Sequence, residues 1–218
     1  MKIGVLGATG PAGSGLAARL ASVGYEVVVG SRKLERATEV RDGIVEKWPD
    51  RQLGIEAAEN VGAAEADIVV IATPWDGAAV TAGSVAEQVR GKVVISMANA
   101  LTKVGSEFEP LIPPRGSVAG HVQAAIPHSF VVAALHHVPA KELGDLDHPC
   151  EIDVLVCSDH PSATEATCDL IASMPGMRPL DAGELSNAAA IEAFTAVLLQ
   201  LNVRYKTRAG VQFTGIDL

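Results

Sequence analysis

Apolar positions along this 218-residue chain follow two rhythms in alternation. Ile3, Val5 and Leu6 form a short apolar run, which reaches glycines at 7, 10 and 13 and then a helical rhythm at Ala17, Leu20 and Val23. Short continuous runs predict buried strands, and the longer period predicts amphipathic helices. The chain therefore opens as strand, glycine turn and helix, followed by a strand over 25–29 and a charged helix over 34–47. Pro49 disfavours helical geometry at Trp48 and marks the stop. Further on, the pattern predicts a weak strand at 52–57, a short helix at 60–66 and a continuous apolar strand at 67–72. A helix at 78–89 and a strand at 92–97 follow, then an irregular proline-rich stretch at 109–115. Ser117 caps a helix running to about Ala125. Strands at 129–135 and 152–157, a helix at 162–174 and a turn bracketed by Pro175 and Pro179 lead to a last helix over 186–205. Ile191, Phe194, Leu198, Leu201 and Tyr205 stripe that helix, with Ala190, Ala193 and Val197 beside them. Such width predicts burial on more than one side, by a subunit interface or a small C-terminal domain.

This order predicts an α/β fold: a Rossmann-type doubly wound, mainly parallel sheet with a small helical C-terminal domain. We expect a dinucleotide-binding domain over 1–180 and a C-terminal helical domain over 181–218. The turn Gly7-Ala8-Thr9-Gly10-Pro11-Ala12-Gly13 departs from G-x-G-x-x-G. It sits, however, on a strand-to-helix junction at the start of a βαβ unit, where backbone N–H groups and the helix dipole receive a pyrophosphate. The spacing Gly10 to Gly15 also suits a P-loop, but Leu16 and Ala17 replace the required Lys and Ser/Thr. The second strand ends in Gly30-Ser31-Arg32 where an NAD site would carry a carboxylate. Ser31 and Arg32 suit a 2′-phosphate instead, with Lys33 and Arg36 adding charge, so the reading is NADP(H) over NAD(H). Ligands in such sheets lie outside the carboxyl ends of strands, which brings in Thr73-Pro74-Trp75 and Ala98-Asn99. Trp75 serves equally well as core filling on sequence grounds.

Net charge of −9 excludes nucleic acid and acidic membranes as main partners. Cys150, Cys157 and Cys168 form no C-x-x-C, so a reduced, cytoplasmic setting is expected. The glycines and Pro11 break any signal-peptide reading of the N-terminus. Residues 116–140 lack Lys, Arg, Asp and Glu, yet four histidines and two prolines disqualify them as a membrane span. No hydrolase motif occurs, no Tyr-x-x-x-Lys pair stands out, and His136-His137 lack partners at metal spacing, so no metal is expected. Hydride transfer between two cofactors requires no strong acid or base, only alignment and exclusion of water.

Several segments in order carry a family resemblance: Gly7-Ala8-Thr9-Gly10 with Gly13, Gly30-Ser31-Arg32, Pro74-Trp75, Ala134-Leu135-His136-His137-Val138-Pro139-Ala140, and Arg178 to Gly183 leading to Leu185-Ser186-Asn187. Over nearly its whole length the chain resembles the F420-dependent NADP oxidoreductases, also called NADPH:F420 reductases. That resemblance implies reversible hydride transfer between C5 of the deazaflavin coenzyme F420 and C4 of NADP. It implies that Thr9, Ser31 and Arg32 hold the 2′-phosphate, with Arg36 where a lysine can occur. It further implies that His136, Val138, Pro139 and Thr195 meet the deazaflavin, His136 aligning the ring without donating a proton. Residues 107–123 align poorly with the family. A homodimer through the last helix is expected. The open alternatives are an NADPH-dependent flavin, quinone or ferric reductase of the same fold, and a non-catalytic NADP(H) sensor. Arg204, Lys206 and Arg208 are either a solvated helix end or a meeting point for the anionic F420 tail.

Overall fold

The computed structural model describes residues 1–216. Its centre is a parallel six-stranded sheet with strand order β3-β2-β1-β4-β5-β8. These strands are β1 (Lys2–Leu6), β2 (Glu26–Ser31), β3 (Ile55–Glu59), β4 (Ile68–Ile71), β5 (Val93–Ser96) and β8 (Phe130–Ala133). β1 pairs with β2 on one side and β4 on the other, so the winding reverses between β1 and β4. The carboxyl ends of those two strands form the crevice where ligands bind in such sheets.

Helices α1 (Pro11–Ser22), α2 (Leu34–Lys47), α3 (Asn60–Ala63), α4 (Trp75–Ser84) and α5 (Val118–Ala125) cover the sheet. Two apolar layers result, one around Leu16, Leu20, Val5 and Ile95, the other around Leu6, Ile71, Val94 and Val122. Strands buried on both faces read as continuous apolar runs, which is why 67–72 is so plain in the sequence. α4 starts at Trp75, three residues before the predicted helix, because Pro74 is pre-set as its N-terminal flank. Trp75 is 38% exposed at that corner, which rules out core filling.

Three further corrections concern the less regular parts. Residues 101–110 form a hairpin, β6 (Leu101–Val104) with β7 (Glu107–Pro110), within a stretch read as partly irregular. The expected turn at Pro175–Pro179 is instead β10 (Met177–Asp181), parallel to β9 (Ile152–Val156). A proline fits because β10 pairs on one side only, leaving an open edge for the missing N–H. A short helix, α6 (Ala140–Leu143), follows Pro139. Buried Arg19 of α1 donates to the carbonyls of Glu142, Leu143, Asp145 and His148, fastening the segment after Pro139 to α1.

α7 (Pro161–Ala172) and a 3₁₀ turn at Leu185–Asn187 precede α8 (Ala188–Tyr205). The expectation that α8 is buried on more than one side is not met within the chain. Ile191, Glu192, Thr195 and Leu198 face inward, while Phe194, Val197, Val203 and Tyr205 are exposed, Tyr205 by 73%. Among the described residues, no helix is long and apolar enough to cross a membrane.

Candidate dinucleotide and deazaflavin site

The glycine turn links the end of β1 to α1, and each glycine has its own steric reason. Gly7 has φ +79°, and an added Cβ would lie 2.4 Å from Thr73 Cγ2 and 2.8 Å from Thr73 N. Gly13 presses helix against strand: a Cβ there would approach Ala8 Cα to 2.9 Å and Ala72 Cβ to 3.0 Å. Around Gly10 no atom lies within 4 Å of such a Cβ, so this glycine borders open space. That space is a cleft of about 330 Å³ lined by Gly7, Thr9, Gly10, Pro11, Ala12, Gly13, Ala72, Thr73, Pro74, Met97 and Ala98. Nine of the predicted site residues thus converge, all but Ala72 and Met97 in that lining. No lining residue is titratable. Thr73 Oγ1 and Ser96 Oγ, at the ends of β4 and β5, are buried with no hydrogen-bond partner.

Ser31 ends β2 half-buried, and Arg32 and Arg36 are exposed at the approach to α2. Arg36 forms an exposed pair with Glu39 at 2.8 Å. These three residues lie outside the cleft lining, as does Trp75 on the first turn of α4. A larger groove of about 680 Å³ runs between α1, α2 and α6, sharing Thr9 and Pro11 with the cleft and carrying Lys47, Lys141 and Arg208. Arg208 pairs there with Glu142 at 3.0 Å, and Arg204 pairs with Glu107 at 3.1 Å.

Beyond β8 the chain turns sharply. Leu135 has φ +65°, a left-handed conformation that costs a branched residue about 1–3 kcal/mol and persists only where surroundings hold it. The hold is on the next residue. Asn99 Nδ2 donates to the His136 carbonyl at 2.8 Å, and Thr195 Oγ1 lies 3.2 Å from the same oxygen and 3.3 Å from Asn99 Oδ1. Three loops and helices meet there: the end of β5, the end of β8 and α8.

The His136 ring is 3% exposed and neither nitrogen has a hydrogen-bond partner. Burial, reinforced by neighbouring His137, pushes its pKa down to about 3, although the backbone of Ala98 and Met97 favours the charged ring weakly. A neutral ring against two cleft-lining residues is the result. His137 turns away: its Nε2 accepts from Leu155 N at 3.3 Å, and burial pushes its pKa down to about 4. Val138 is buried and Pro139 is half-buried at the start of α6. None of His136, Val138, Pro139 and Thr195 lines the cleft itself; His136 adjoins Met97 and Ala98 of the lining, and Thr195 reaches Asn99. Among the described residues, no group of three or more His, Cys, Asp or Glu converges as metal ligands.

Comparison with known proteins shows the family of the chain. Residues 2–100 match the family described as NADP oxidoreductase, coenzyme F420-dependent. Along its whole length the chain is 38% identical to the F420-dependent NADP reductase of Methanocaldococcus jannaschii, with 100% of both chains covered. The chain belongs to this family. A further member, the F420-dependent NADP reductase of Methanothermobacter thermautotrophicus, is 35% identical over 99% of this chain and 96% of its own. Among solved structures, a candidate F420-dependent NADP-reductase from Arthrobacter sp. FB24 superposes with a TM-score of 0.81 at 24% identity, covering 98% of this chain and all of its own. That likeness shows the fold. The family region ends just past Asn99, so it holds the glycine turn and Ser31-Arg32. The layer around His136 and Thr195 is covered by the full-length relatives.

Sequence reasoning missed Ala72 and Met97, which complete the cleft lining, and Glu192, which is buried on α8; Asn99, expected beside the dinucleotide, acts through the His136 carbonyl. Only Glu192 had a legible signal: it is the one charged residue between 188 and 203.

Proposed function

We propose that the protein transfers hydride reversibly between NADP(H) and coenzyme F420, as an NADPH:F420 reductase. One observation carries this: the cleft is lined without a single titratable group, and the adjoining histidine is held neutral. Such walls suit a reaction in which a hydride passes between the cofactors and the one proton that accompanies reduction of the deazaflavin comes from solvent, not from a cleft side chain. When both are bound, the nicotinamide and deazaflavin supply the redox chemistry between them. The chain's residues position and exclude. Gly7, Thr9, Gly10, Pro11, Ala12 and Gly13 receive the pyrophosphate on bare backbone, and Thr73, Pro74, Trp75, Ala98 and Asn99 border the rest of the dinucleotide. Thr9, Ser31, Arg32 and Arg36 read the 2′-phosphate. The residues fit the group: a Cβ-free opening at Gly10 and the unpartnered hydroxyl of Thr73 border the cleft. His136, Val138, Pro139 and Thr195 form the deazaflavin side, where His136 aligns the ring.

The remainder of the reading follows from this. Residues 1–180 form the dinucleotide-binding part and 181–218 the part that completes the deazaflavin side and dimerises. The exposed face Phe194, Val197 and Tyr205 of α8 is the seam of a homodimer. Light scattering tests it: wild type should give twice the monomer mass and Val197→Glu the monomer mass. The three cysteines are free thiols, in keeping with a cytoplasmic setting.

The assay mixes NADPH with oxidised F420, with FAD, FMN and NADH as controls. Bleaching of the deazaflavin band by NADPH, and hardly by NADH, is expected. Turnover of a flavin with silence toward F420 would transfer the reading to a flavin reductase, and binding without turnover to a sensor. Lys47, Lys141 and Arg208 in the larger groove offer positive charge to an anionic tail. A salt-dependent KM for F420, absent for a tailless deazaflavin, is the expected sign.

A further inference from the structure

Glu192 is 4% exposed on the inner face of α8, and nothing above employs it. Its carboxylate accepts from Val118 N at 2.8 Å and from Ala119 N at 3.1 Å, the first free donors of α5. Ser117 Oγ takes the next donor, Gly120 N, at 2.9 Å, so the start of α5 is capped by two residues from distant parts of the chain. No cation is recorded against the carboxylate among the described residues. Burial pushes its pKa up to about 7, against the pull of those two N–H groups. An anion kept here rather than an apolar side chain calls for a reason.

The far end of α5 supplies it. Gln123 Oε1 accepts from Val131 N at 3.2 Å and Gln123 Nε2 donates to Ser129 O at 3.1 Å, which fixes the outer strand β8 to α5. β8 leads directly to Leu135 and His136. Thr195, one turn beyond Glu192 on the same inner face of α8, meets the His136 carbonyl. The contacts close a ring: α5 to β8 through Gln123, β8 to His136 along the chain, His136 to α8 through Thr195, and α8 back to α5 through Glu192.

We infer that Glu192 is a positioning residue for the deazaflavin side: its carboxylate, clamped on the start of α5, fixes the rotation of α8 that delivers Thr195 to the His136 carbonyl. This rests on the reading that Thr195 and His136 border the deazaflavin. A residue that merely capped α5 would lower stability without favouring one substrate over the other. A positioning residue acts on one substrate and acts through Thr195.

The test is a double-mutant cycle on the full chain at pH 8.5, where wild-type Glu192 is ionised, with Thr195→Val, Glu192→Gln and the double variant. KM and kcat are read for F420 and for NADPH, with the unfolding temperature measured alongside. Each single change should raise the KM for F420 about tenfold and leave the KM for NADPH within about twofold. The double variant should be no worse than the worse single one, since both changes break the same link. Glu192→Asp, which keeps the charge but shortens the reach, should fall between wild type and Glu192→Gln and serves if Glu192→Gln does not fold. An F420 effect from Thr195→Val with none from Glu192→Gln, equal losses for both substrates, or independent effects that multiply in the double variant would each overturn the inference alone. Silence of Thr195→Val toward F420 would instead remove the reading of the site, and the inference with it.

Discussion

The three glycines of the turn allow a sharp separation of folding from binding. Replace each by alanine in turn. At Gly7 the backbone sits at φ +79°, which costs an L-residue about 1–2 kcal/mol. The new methyl would also lie 2.8 Å from Thr73 N and 2.9 Å from Thr73 Cα, backbone atoms that cannot rotate aside. Gly7→Ala should therefore lose at least about 2 kcal/mol, or roughly 4–8 °C in unfolding temperature for a chain of this length. At Gly13 the obstacles are Ala8 Cα and the Ala72 methyl, again with nothing flexible to yield, so a similar loss is expected. Gly10 differs. Its φ of −87° and ψ of 159° are open to any residue, and its Cβ would meet nothing. The alanine loses a little as a helix N-cap and gains about 0.4–1 kcal/mol by restricting the unfolded chain, so the sum is close to zero. Yet that methyl would stand where the pyrophosphate reaches the backbone. Gly10→Ala should melt within about 2 °C of wild type without cofactor, while its KM for NADPH rises tenfold or more. Differential scanning fluorimetry and steady-state kinetics read the two quantities. The reasoning fails if Gly10→Ala binds NADPH as wild type does, or if it is as unstable as Gly7→Ala.

Other consequences concern charge. Arg32→Asp removes a cation and adds a carboxylate where the 2′-phosphate would lie; losing one charge-assisted contact of about 1.5–3 kcal/mol should raise the KM for NADPH roughly 10- to 100-fold, with NADH improved in the same assay. Arg178 grips buried Asp153 with two bonds of 2.7 and 2.6 Å, so Arg178→Ala leaves a buried carboxylate without its main partner. The Arg178 side chain is about a third exposed and Phe213 N still donates to the carboxylate, so a loss of about 1.5–3 kcal/mol in a guanidinium titration at pH 7 is expected. Because that grip holds the Asp153 carboxyl below its usual range, its contribution is present above about pH 4 and disappears as the pH falls through the lowered value. His136 and His137 act in the same sense by another route. Unfolded, they take up protons near pH 6.5; folded, they resist until about 3 and about 4. The unfolded state then binds more protons through that window, so stability falls as the pH drops from 6.5 toward 4. His137→Gln should flatten this slope, which denaturant titrations at pH 7, 6 and 5 would reveal.

How much of this was legible in the sequence depends on the range over which each feature is determined. The glycine turn, the apolar strand before Thr73 and the stop at Pro49 are set by residues within a few positions of themselves, and their placement survives in the structure. β10 was not legible, because two prolines signal a turn and only the open edge beside β9 makes one of them acceptable in a strand. The hairpin at 101–110 carries exposed residues and no alternation strong enough to register. In the site the same division holds. Cleft residues come from strand ends that the pattern already locates. The His136 carbonyl is held by Asn99 and Thr195, 37 and 59 positions away, and no local pattern encodes those contacts.

That division has a functional consequence. On the proposed reading, the pyrophosphate is met by backbone, at glycines, strand ends and a helix start, and only the 2′-phosphate by the side chains of Thr9, Ser31, Arg32 and Arg36. On the same reading, the deazaflavin side is supported by side chains that reach across the chain, Thr195, Glu192 and Gln123, with Asn99 joining the two sides at the His136 carbonyl. Removing Glu192 or Gln123 leaves N–H groups unpaired, at about 1–3 kcal/mol, while removing Asn99 or Thr195 takes one of two donors from the His136 carbonyl beside the left-handed turn at Leu135. Substitutions in the second set should therefore lower stability and the F420 reaction together. Substitutions such as Gly10→Ala and Arg32→Asp should lower NADPH binding alone.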